Sequence, residues 1–301
     1  MVACIAIDWG TTNLRAFALG SDGQTLDMVA EPRGILAMQA AQYPEVLKTI
    51  RIRLGDANES VPVLIAGMAG SNRGWIEAPY VECPADAGEI AGQVRAVPGV
   101  PSTWIVPGLR TAKSTRADVM RGEEVQILGS GLRDGILCLP GTHTKWAQVE
   151  SGRISGFATV MAGELFDLLR KHGILSATLA ASGAPDPQGF AAGLKVSREN
   201  RVLAGLFSLR AVCILDGRSA EWASGYLSGL LIGEDVREGL AAAGPETVHV
   251  IGAADLSARY AQALESYGAS AVILDGGEAF TRGIMVVARS LQEQGHVSWT
   301  I

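Results

Sequence analysis

The sequence predicts an α/β protein built from two similar domains that face each other across a central cleft. Its 301 residues exceed what one core usually holds, and 37 glycines with 48% hydrophobic residues suit a turn-rich α/β chain. Each half contains an apolar strand that enters a Gly-Thr turn, followed by two more strands. The second half then alternates strands and helices, an order that favours parallel pairing.

The first half begins with strands. Residues 3–9, 14–20 and 25–30 are short apolar or alternating runs between polar turns, which predicts an antiparallel meander. A helix is predicted at about 38–54. A buried strand at 61–67 then runs into a Gly-rich loop.

The second half repeats this pattern and adds helices. Residues 118–128 have helical character, and the three strands around the second Gly-Thr turn are 136–139, 146–149 and 154–160. The remaining elements are helices at about 163–172, 199–211 and 219–240, a strand at 248–252, a helix to about 267, a strand at 271–274 and a final helix from near 277. We predict an N-terminal domain at 1–113, with the helix at about 277–301 packing back on it, and a C-terminal domain at 114–276.

Composition excludes several classes of protein. Lys plus Arg number 25 against 31 Asp plus Glu, so a net charge of −6 gives no electrostatic reason to expect nucleic acid or an anionic membrane as partner. The first residues lack a basic signal-peptide region, and no apolar run is long enough to span a membrane. We therefore expect a cytoplasmic protein. The four cysteines and four histidines are scattered, which argues against a disulfide framework or a His/Cys metal site.

The first Gly-Thr turn has the composition of a phosphate-binding loop. Gly10 lets the backbone approach a ligand closely, and Thr11, Thr12 and Asn13 add hydroxyl, amide and backbone donors. Asp8, at the end of the preceding strand, is the candidate ligand of a hydrated magnesium ion. The alternative is an ordinary hairpin with an aspartate at its turn.

The second Gly-Thr turn makes the phosphate interpretation stronger. Two such turns, one from each domain, would hold the phosphates of a nucleotide between two sets of N–H groups. Candidate contacts in the second turn are Gly141, Thr142, His143, Thr144 and Lys145. Arg15 and Lys145 could supply positive charge, although each could also be a solvated strand residue, and coincidence between the turns is the alternative. Neither a Walker A sequence nor a Rossmann glycine motif is present.

A kinase that acts on an alcohol also needs a carboxylate near the attacking hydroxyl. Asp118, Glu123 and Glu124 crowd together with Arg121, a candidate substrate contact, at the predicted entrance of a helix. The helix dipole alone would favour acidic residues in a first turn. Their position at the domain junction, just before the second Gly-Thr turn, favours a catalytic role.

The loop after the strand at 61–67 is the candidate substrate site. Open α/β sheets bind ligands at the carboxyl ends of their strands. Arg73 could grip a substrate carboxylate, Ser71 and Asn72 could bind hydroxyls, and Trp75 could form a wall. Gly-rich loops after strands are common, however, and Trp75 could serve packing alone.

Several motifs together resemble the 2-dehydro-3-deoxygalactonokinases, sugar-acid kinases of the sugar kinase, Hsp70 and actin superfamily. RGEE and PGTHxKW are quite specific, whereas the first motif indicates only the superfamily. The matching segments are IDWGTTNLR (7–15), GMAGSNRGWIEAPY (67–80), DVMRGEE (118–124), LPGTHTKW (139–146), GELF (163–166) and YLSGLLIG (226–233).

The resemblance implies two ribonuclease H-like (actin-like ATPase) domains and phosphorylation of 2-dehydro-3-deoxy-D-galactonate at its 6-hydroxyl by ATP and Mg²⁺, in galactonate catabolism. Related sugar kinases carry the base in a Gly-Asp-Gln motif some twenty residues before the second phosphate turn. Glu123 takes that place, 19 residues before Thr142, with Asp118 and Glu124 as rivals. The resemblance also implies that adenosine lies against Gly252 and Ala253.

Other functions are open at this point. The acceptor could be another sugar acid or sugar on the same fold. A nucleotide-dependent binding protein or a sugar-sensing repressor is a different class, although the N-terminal strand leaves no room for a helix-turn-helix. The apolar helices at 199–240 could pack in a homodimer, with core packing as the alternative.

Overall fold

A six-stranded mixed sheet lies at the centre of the first half. The computed structural model describes residues 1–113, 116–179, 184–241, 247–295 and 297. The strands of the sheet, in the spatial order β3-β2-β1-β4-β7-β6, are β1 (Cys4–Trp9), β2 (Leu14–Leu19), β3 (Thr25–Glu31), β4 (Val63–Gly67), β6 (Arg95–Ala96) and β7 (Thr103–Ile105). The predicted antiparallel meander of β1, β2 and β3 is confirmed, and β4 pairs parallel to β1. Residues 4–7 and 63–67 are buried without interruption, as central strands require.

A second, three-stranded sheet and three helices complete this region. The sheet has the order β5-β8-β9 and consists of β5 (Tyr80–Glu82), β8 (Gly108–Lys113) and β9 (Arg116–Met120). The helices are α1 (Tyr43–Arg53), α2 (Ala87–Ala91) and α3 (Glu123–Gly129). The helix predicted at 38–54 begins only at Tyr43, because Pro44 favours a first helical turn and two short 3-10 segments precede it.

The second half has a five-stranded sheet and most of the helices. The strand order is β12-β11-β10-β13-β14, with β10 (Gly135–Leu139), β11 (Thr144–Glu150), β12 (Arg153–Val160), β13 (Thr247–Gly252) and β14 (Ser270–Asp275). As predicted from the alternating order, β10 and β13 pair in parallel. The helices are α4 (Ala162–Lys171), α5 (Pro187–Arg198), α6 (Val202–Asp216), α7 (Ala220–Leu240), α8 (Ala254–Ser266) and α9 (Gly276–Glu293).

The chain divides into two compact units that are not continuous in sequence. The first unit comprises residues 1–134, 148–157 and 275–301, and the second comprises 135–147 and 158–274. The last helix, α9, belongs to the first unit and contacts β1, α2 and α3. The boundary that we predicted after residue 113 lies inside the first unit, because β9 pairs with β8 along its whole length.

Two predicted helices were wrong in part. The helix predicted at 118–128 begins at Glu123, because Asp118 lies in β9, opposite Thr111 of β8. Gly122 separates the strand from the helix at a φ of +109°, a conformation that glycine adopts at little cost. The helix predicted at 199–211 begins at Val202, and α5 before it was not predicted.

Two further observations concern the cysteines and the search for membrane-spanning helices. All four cysteines are free thiols, and Cys4 and Cys138 are buried. Within the described ranges, no helix combines the length and the apolar character needed to cross a lipid bilayer.

Candidate functional site

The first Gly-Thr turn is exposed, and residues 34–36 bond to its backbone. Thr11, Thr12 and Asn13 are exposed, whereas β1 and β2 on either side are largely buried. The Gly10 N–H donates to the Asn13 carbonyl at 2.9 Å. The carbonyls of Gly10, Thr11 and Thr12 accept bonds from residues 34–36 at 2.8–3.2 Å, which fixes the turn while its hydroxyls face outward.

A glycine that we did not predict backs this turn. A Cβ at Gly34 would lie 2.2 Å from the Thr11 carbonyl carbon and 2.3 Å from the Thr12 nitrogen. Any side chain would therefore displace the turn. Gly34 is the third residue after β3 ends, and the adjacent Arg33 carbonyl accepts the Trp9 Nε1 proton at 2.8 Å.

Asp8 lies at the carboxyl end of β1 among backbone segments of three elements. Its Oδ2 accepts a bond from Arg15 Nη2 at 2.6 Å across the β1–β2 ladder. A Cβ at Gly67 would lie 2.8 Å from the Trp9 carbonyl oxygen and 3.5 Å from Asp8 Oδ1, and one at Gly122 would lie 3.2 Å from the Gly67 Cα. The end of β1, the end of β4 and the start of α3 therefore meet beside Asp8.

The three candidate bases have different environments. Glu124 is fully buried, and both of its oxygens accept the Gly122 N–H, at 2.7 and 2.9 Å. Burial, and secondarily the charge of Glu123, raises the pKa of Glu124 to about 8. Glu123 is half-buried at the start of α3 and accepts the Arg121 N–H at 3.0 Å. Asp118 lies in β9 of the small sheet rather than in the helix.

Only some of the predicted substrate contacts in the Gly-rich loop after β4 are exposed to solvent. Ser71 is 7% exposed, and its hydroxyl donates to the Met68 carbonyl at 2.8 Å, so it closes the 3-10 turn of residues 68–70. Asn72 and Arg73 are exposed. Trp75 stacks on Tyr43 at 5.4 Å and contacts the edge of Trp9 at 6.4 Å. Trp75 thus serves the packing of the loop against Tyr43 and Trp9, whereas Asn72 and Arg73 face outward.

Arg121 is a buried cation rather than an exposed one. Its side chain lies over the Tyr80 ring at 4.3 Å, and Nη2 donates to the Ala78 carbonyl at 2.8 Å. The residue is only 8% exposed, and Nη1 would lie 2.8 Å from a Cβ at Gly70. The guanidinium therefore fastens the segment after the loop to the start of α3.

The second Gly-Thr turn is backed in the same way as the first. A Cβ at Gly163 would lie 2.3 Å from the Gly141 oxygen and 2.8 Å from the Thr142 Cα. The Glu164 N–H donates to the Thr142 carbonyl at 2.9 Å. Gly163 is the third residue after β12 ends, as Gly34 is after β3, so the internal repeat extends beyond the strands and turns.

The charged residues of the second turn are paired. His143 Nε2 contacts a carboxylate oxygen of Glu164, with both side chains partly exposed. Lys145 is only 6% exposed, and its ammonium donates to Thr159 Oγ1 at 2.7 Å. Lys145 is therefore not the solvated strand residue that the alternative interpretation described.

The predicted adenosine turn lies beside the second Gly-Thr turn. Because β10 and β13 are parallel neighbours, their carboxyl ends meet, and a Cβ at Gly252 would lie 3.5 Å from the Pro140 Cδ. Ala253 is the N-cap of α8. The hydroxyl of Ser257, buried and without a hydrogen-bond partner, would lie 3.2 Å from that Cβ.

The carboxylates do not form a protein-only metal cage. In the part of the chain that the structure describes, no three His, Cys, Asp or Glu side chains group so that they could hold an ion. Magnesium, however, usually binds through one or two carboxylates, waters and substrate phosphates. Asp8, partly exposed beside a phosphate-type turn, fits that mode.

The sequence alone missed the residues that support these turns. Gly34 and Gly163 could have been found by aligning the two repeats beyond their third strands. Tyr260, which bonds to Thr144 of the second turn, and Asp235, which bonds to the following Trp146, carried no local signal because they lie on helices far away in sequence.

Comparisons with known proteins agree along nearly the whole chain. The 2-keto-3-deoxy-galactonokinase family model matches residues 8–287. A protein of Rhizobium meliloti described as a probable 2-dehydro-3-deoxygalactonokinase is 38% identical over 95% of this chain and 96% of its own. The 2-dehydro-3-deoxygalactonokinase of Escherichia coli is 36% identical over 95% of this chain and 98% of its own.

Solved structures agree with the fold. A Sinorhizobium meliloti protein provisionally named a 2-dehydro-3-deoxygalactonokinase has a TM-score of 0.90 at 37% identity, covering 95% of this chain and 98% of that one. The activator of 2-hydroxyisocaproyl-CoA dehydratase from Clostridium difficile, solved with ADPNP, has a TM-score of 0.54 at 12% identity, covering 100% and 99%. That second likeness concerns the fold alone, which is the predicted α/β fold of two actin-like ATPase domains.

Proposed function

Because the chain belongs to the 2-keto-3-deoxy-galactonokinase family, we propose that it transfers the γ-phosphoryl group of ATP to the 6-hydroxyl of 2-dehydro-3-deoxy-D-galactonate, a step of galactonate catabolism. The family makes it a kinase, a phosphotransferase with an alcohol group as acceptor. The observation that carries the proposal is the pair of Gly-Thr turns, each backed by a glycine at an equivalent position. Phosphoryl transfer depends mostly on positioning and charge neutralisation, which such turns provide.

The two turns divide the work on the nucleotide. In the first turn, Thr11, Thr12 and Asn13 supply donors for phosphate oxygens, and in the second turn residues 141–145 do the same. His143, held by Glu164, adds a donor to that turn. Gly252 and Ala253 leave room for the adenosine, because neither presents a large side chain.

Magnesium is the second component of the proposed reaction. When bound, it neutralises charge on the phosphate oxygens. Asp8 would hold it, directly or through water, because its Oδ1 is not used in the bond to Arg15. Arg15 then keeps Asp8 oriented at the end of β1.

Glu123 is the proposed base. It must orient the attacking hydroxyl and accept its proton, which requires contact with substrate. Glu124 is fully buried and bonded to Gly122. Asp118 lies in a strand of the small sheet, several residues before α3 begins. Glu123 combines partial exposure with a fixed position at the start of the helix.

The acceptor is proposed to bind at the loop after β4. Arg73 is exposed and suited to pair with the carboxylate of the sugar acid, while Asn72 can bind a hydroxyl. Trp75, stacked on Tyr43, forms a rigid wall. Ser71 and Arg121 support this loop from within, since both bond to backbone carbonyls.

The direct test is a coupled assay of ADP formation. Purified protein, ATP and magnesium should release ADP in proportion to added 2-dehydro-3-deoxygalactonate, with a phosphorylated product at the 6-position by NMR. A panel of sugar acids that includes the gluconate epimer, compared by kcat/KM, tests acceptor choice. ATP hydrolysis that does not respond to any sugar acid would overturn the proposal.

Location and assembly are proposed as well. We place the enzyme in the cytoplasm, where ATP is available as phosphoryl donor. We also propose a homodimer, supported by four large apolar side chains that α6 exposes: Leu203, Phe207, Ile214 and Leu215. Light scattering coupled to gel filtration would give the mass in solution, and a monomer mass would contradict the dimer.

A further inference from the structure

Asp235 is a fully buried carboxylate of the second unit that the proposed reaction does not use. It lies on α7, and its Oδ1 accepts the Trp146 Nε1 proton at 2.7 Å. Its Oδ2 accepts the hydroxyl proton of Tyr260. Gly239, one helical turn further along α7, lies against the Trp146 ring, where a Cβ would be 2.1 Å from Cδ2. One face of α7 therefore fixes the side chain of Trp146.

The hydrogen bonds continue from Asp235 to the second phosphate turn. Tyr260 has a single hydroxyl proton, which it donates to Asp235, so at 2.8 Å it accepts the proton of Thr144 Oγ1. Thr144 and Trp146 are on β11, directly after residues 141–143. Thr144 and Trp146 of β11 are thus both connected to one carboxylate.

Tyr260 also connects the turn that we assign to adenosine. It lies on α8, which begins at Ala254 immediately after Gly252 and Ala253. The hydrogen bond between Tyr260 and Thr144 therefore joins the adenosine helix to the phosphate turn. Asp235 orients the Tyr260 hydroxyl for that bond by accepting its proton.

We propose that Asp235 is a positioning residue that, through Tyr260 and Thr144, fixes the phosphate turn relative to the adenosine helix and so sets the affinity for nucleotide. This inference rests on the proposed function of these two turns. It assigns no contact between Asp235 and the nucleotide.

The cost of burying Asp235 supports a functional use. Burial raises its pKa to about 6, although the bonds from Tyr260 and Trp146 act in the opposite direction. Both of its oxygens accept hydrogen bonds, as those of an ionised carboxylate do. A buried charge is weak evidence for stability, since apolar residues of similar volume often stabilise a fold equally well or better. A precise arrangement of the groups that it holds is the better explanation.

Tyr260→Phe is the informative variant, because it removes one hydroxyl and keeps the ring. Tyr267→Phe is its matched control. Tyr267 follows α8, and its hydroxyl bonds to Ser197 Oγ at 2.8 Å, away from both turns. We expect Tyr260→Phe to weaken binding of a non-hydrolysable ATP analogue about tenfold by calorimetry, as loss of a bond to a charged group allows. The KM for ATP should rise by a similar factor, and the KM for the sugar acid should not change.

The control and a second variant decide the outcome. Tyr267→Phe should bind the analogue like the unmodified protein, even if its Tm falls. Asp235→Asn, which replaces one of the two acceptor oxygens by an NH2 donor, should weaken nucleotide binding in the same way as Tyr260→Phe. If either folded variant of Asp235 or Tyr260 binds the analogue as tightly as Tyr267→Phe, the inference is overturned. Because binding is measured without acceptor, failure to phosphorylate the sugar acid would contradict the proposed function separately.

Discussion

The adjacent residues Glu123 and Glu124 show how one position in a helix separates two roles. Both are in the first turn of α3, where the helix dipole favours negative charge. Glu124 turns into the core and loses its exposure, whereas Glu123 keeps part of its surface. Of the two, only Glu123 can exchange a proton with a substrate without rearrangement of the chain.

We expect Glu123→Gln to lower kcat by at least about a hundredfold, since general base catalysis contributes on that scale. ATP binding should change little, because Glu123 is not part of either phosphate turn. Steady-state kinetics and calorimetry with an ATP analogue measure the two effects. Asp118→Asn is the matched control, and we expect it to keep kcat within a few-fold. Equal losses in both variants would contradict the assignment of the base.

Glu124 gives a prediction about stability and pH. Its pKa is about 8 in the folded protein and 4.5 in the unfolded chain, so the folded state holds one more proton between these values. The free energy of unfolding contributed by this group is therefore fully present below pH 4.5 and lost as pH rises towards 8. Each unit of pKa difference corresponds to about 1.4 kcal/mol.

Glu124→Gln cannot titrate, so it should lack this loss. We expect the free energy of unfolding of the variant, relative to that of the unmodified protein, to increase by several kcal/mol as the pH rises from about 5 to about 8.5. Urea unfolding at several pH values measures the difference. A difference that stays constant with pH would show that the Glu124 carboxyl is not protonated in the fold.

The sequence could indicate residue types but not their exposure. The segment DVMRGEE (118–124) was sufficient to mark three carboxylates as candidates, and resemblance favoured Glu123. It did not show that Asp118 belongs to a strand, because we assigned residues 118–128 to one helix and so missed the short-range hairpin pairing of β9 with β8. Nor could it show that Ser71 and Arg121 bond to backbone carbonyls, which depends on how the loop after β4 closes.

Among the structural elements, the strand-turn-strand repeats were the most predictable. Alternation of apolar residues and short polar turns is a local signal, and the meander of β1, β2 and β3 confirms it. The glycine that follows each third strand was not predicted. A glycine is required there because the backbone contacts a turn some twenty residues earlier, and no local sequence pattern encodes that contact.

These two glycines should be sensitive to the smallest substitution. Neither has a positive φ, so alanine would be acceptable to the backbone, but its Cβ would collide with a Gly-Thr turn. We expect Gly34→Ala and Gly163→Ala each to raise the KM for ATP about tenfold or more, since misplacement by 1 Å can cost that much. Steady-state kinetics with ATP varied at saturating sugar acid measures this.

Gly156 is the matched control for both variants. It also lacks a positive φ, and a Cβ at Gly156 would meet nothing within 4 Å. Gly156→Ala should leave the KM for ATP unchanged. Normal kinetics in Gly34→Ala and Gly163→Ala would show that the turns tolerate displacement and do not position phosphates.

For the molecule as a whole, the first unit depends on segments that are distant in sequence. The backbones of α3 and α9 touch: a Cβ at Gly129 would lie 1.7 Å from the Ala279 oxygen, and one at Gly283 would lie 1.8 Å from the Val125 oxygen. Phe280 of α9 packs on Phe17 of β2, with ring centres 5.8 Å apart. The helix that carries Glu123 is therefore held by the last helix of the chain.

A fragment that ends at residue 113 should consequently not fold. It would contain the six-stranded sheet but lack β9, α3 and α9, and so leave apolar surface of β1 and β2 exposed. We expect a poorly dispersed amide NMR spectrum, compared with the full chain under the same conditions. A well-dispersed spectrum of the fragment would support a domain that ends at residue 113, as the sequence suggested.

The return of α9 also has a consequence during protein synthesis. The ribosome produces β1, β2 and β4 long before α9, whose Phe280, Ile284 and Leu291, all buried in the finished protein, emerge later. Until then, the earliest strands wait with an unfilled hydrophobic face, a state prone to aggregation and to capture by chaperones. The second unit, encoded between them, can collapse while the first is still incomplete, so the half that is translated first is the half that matures last.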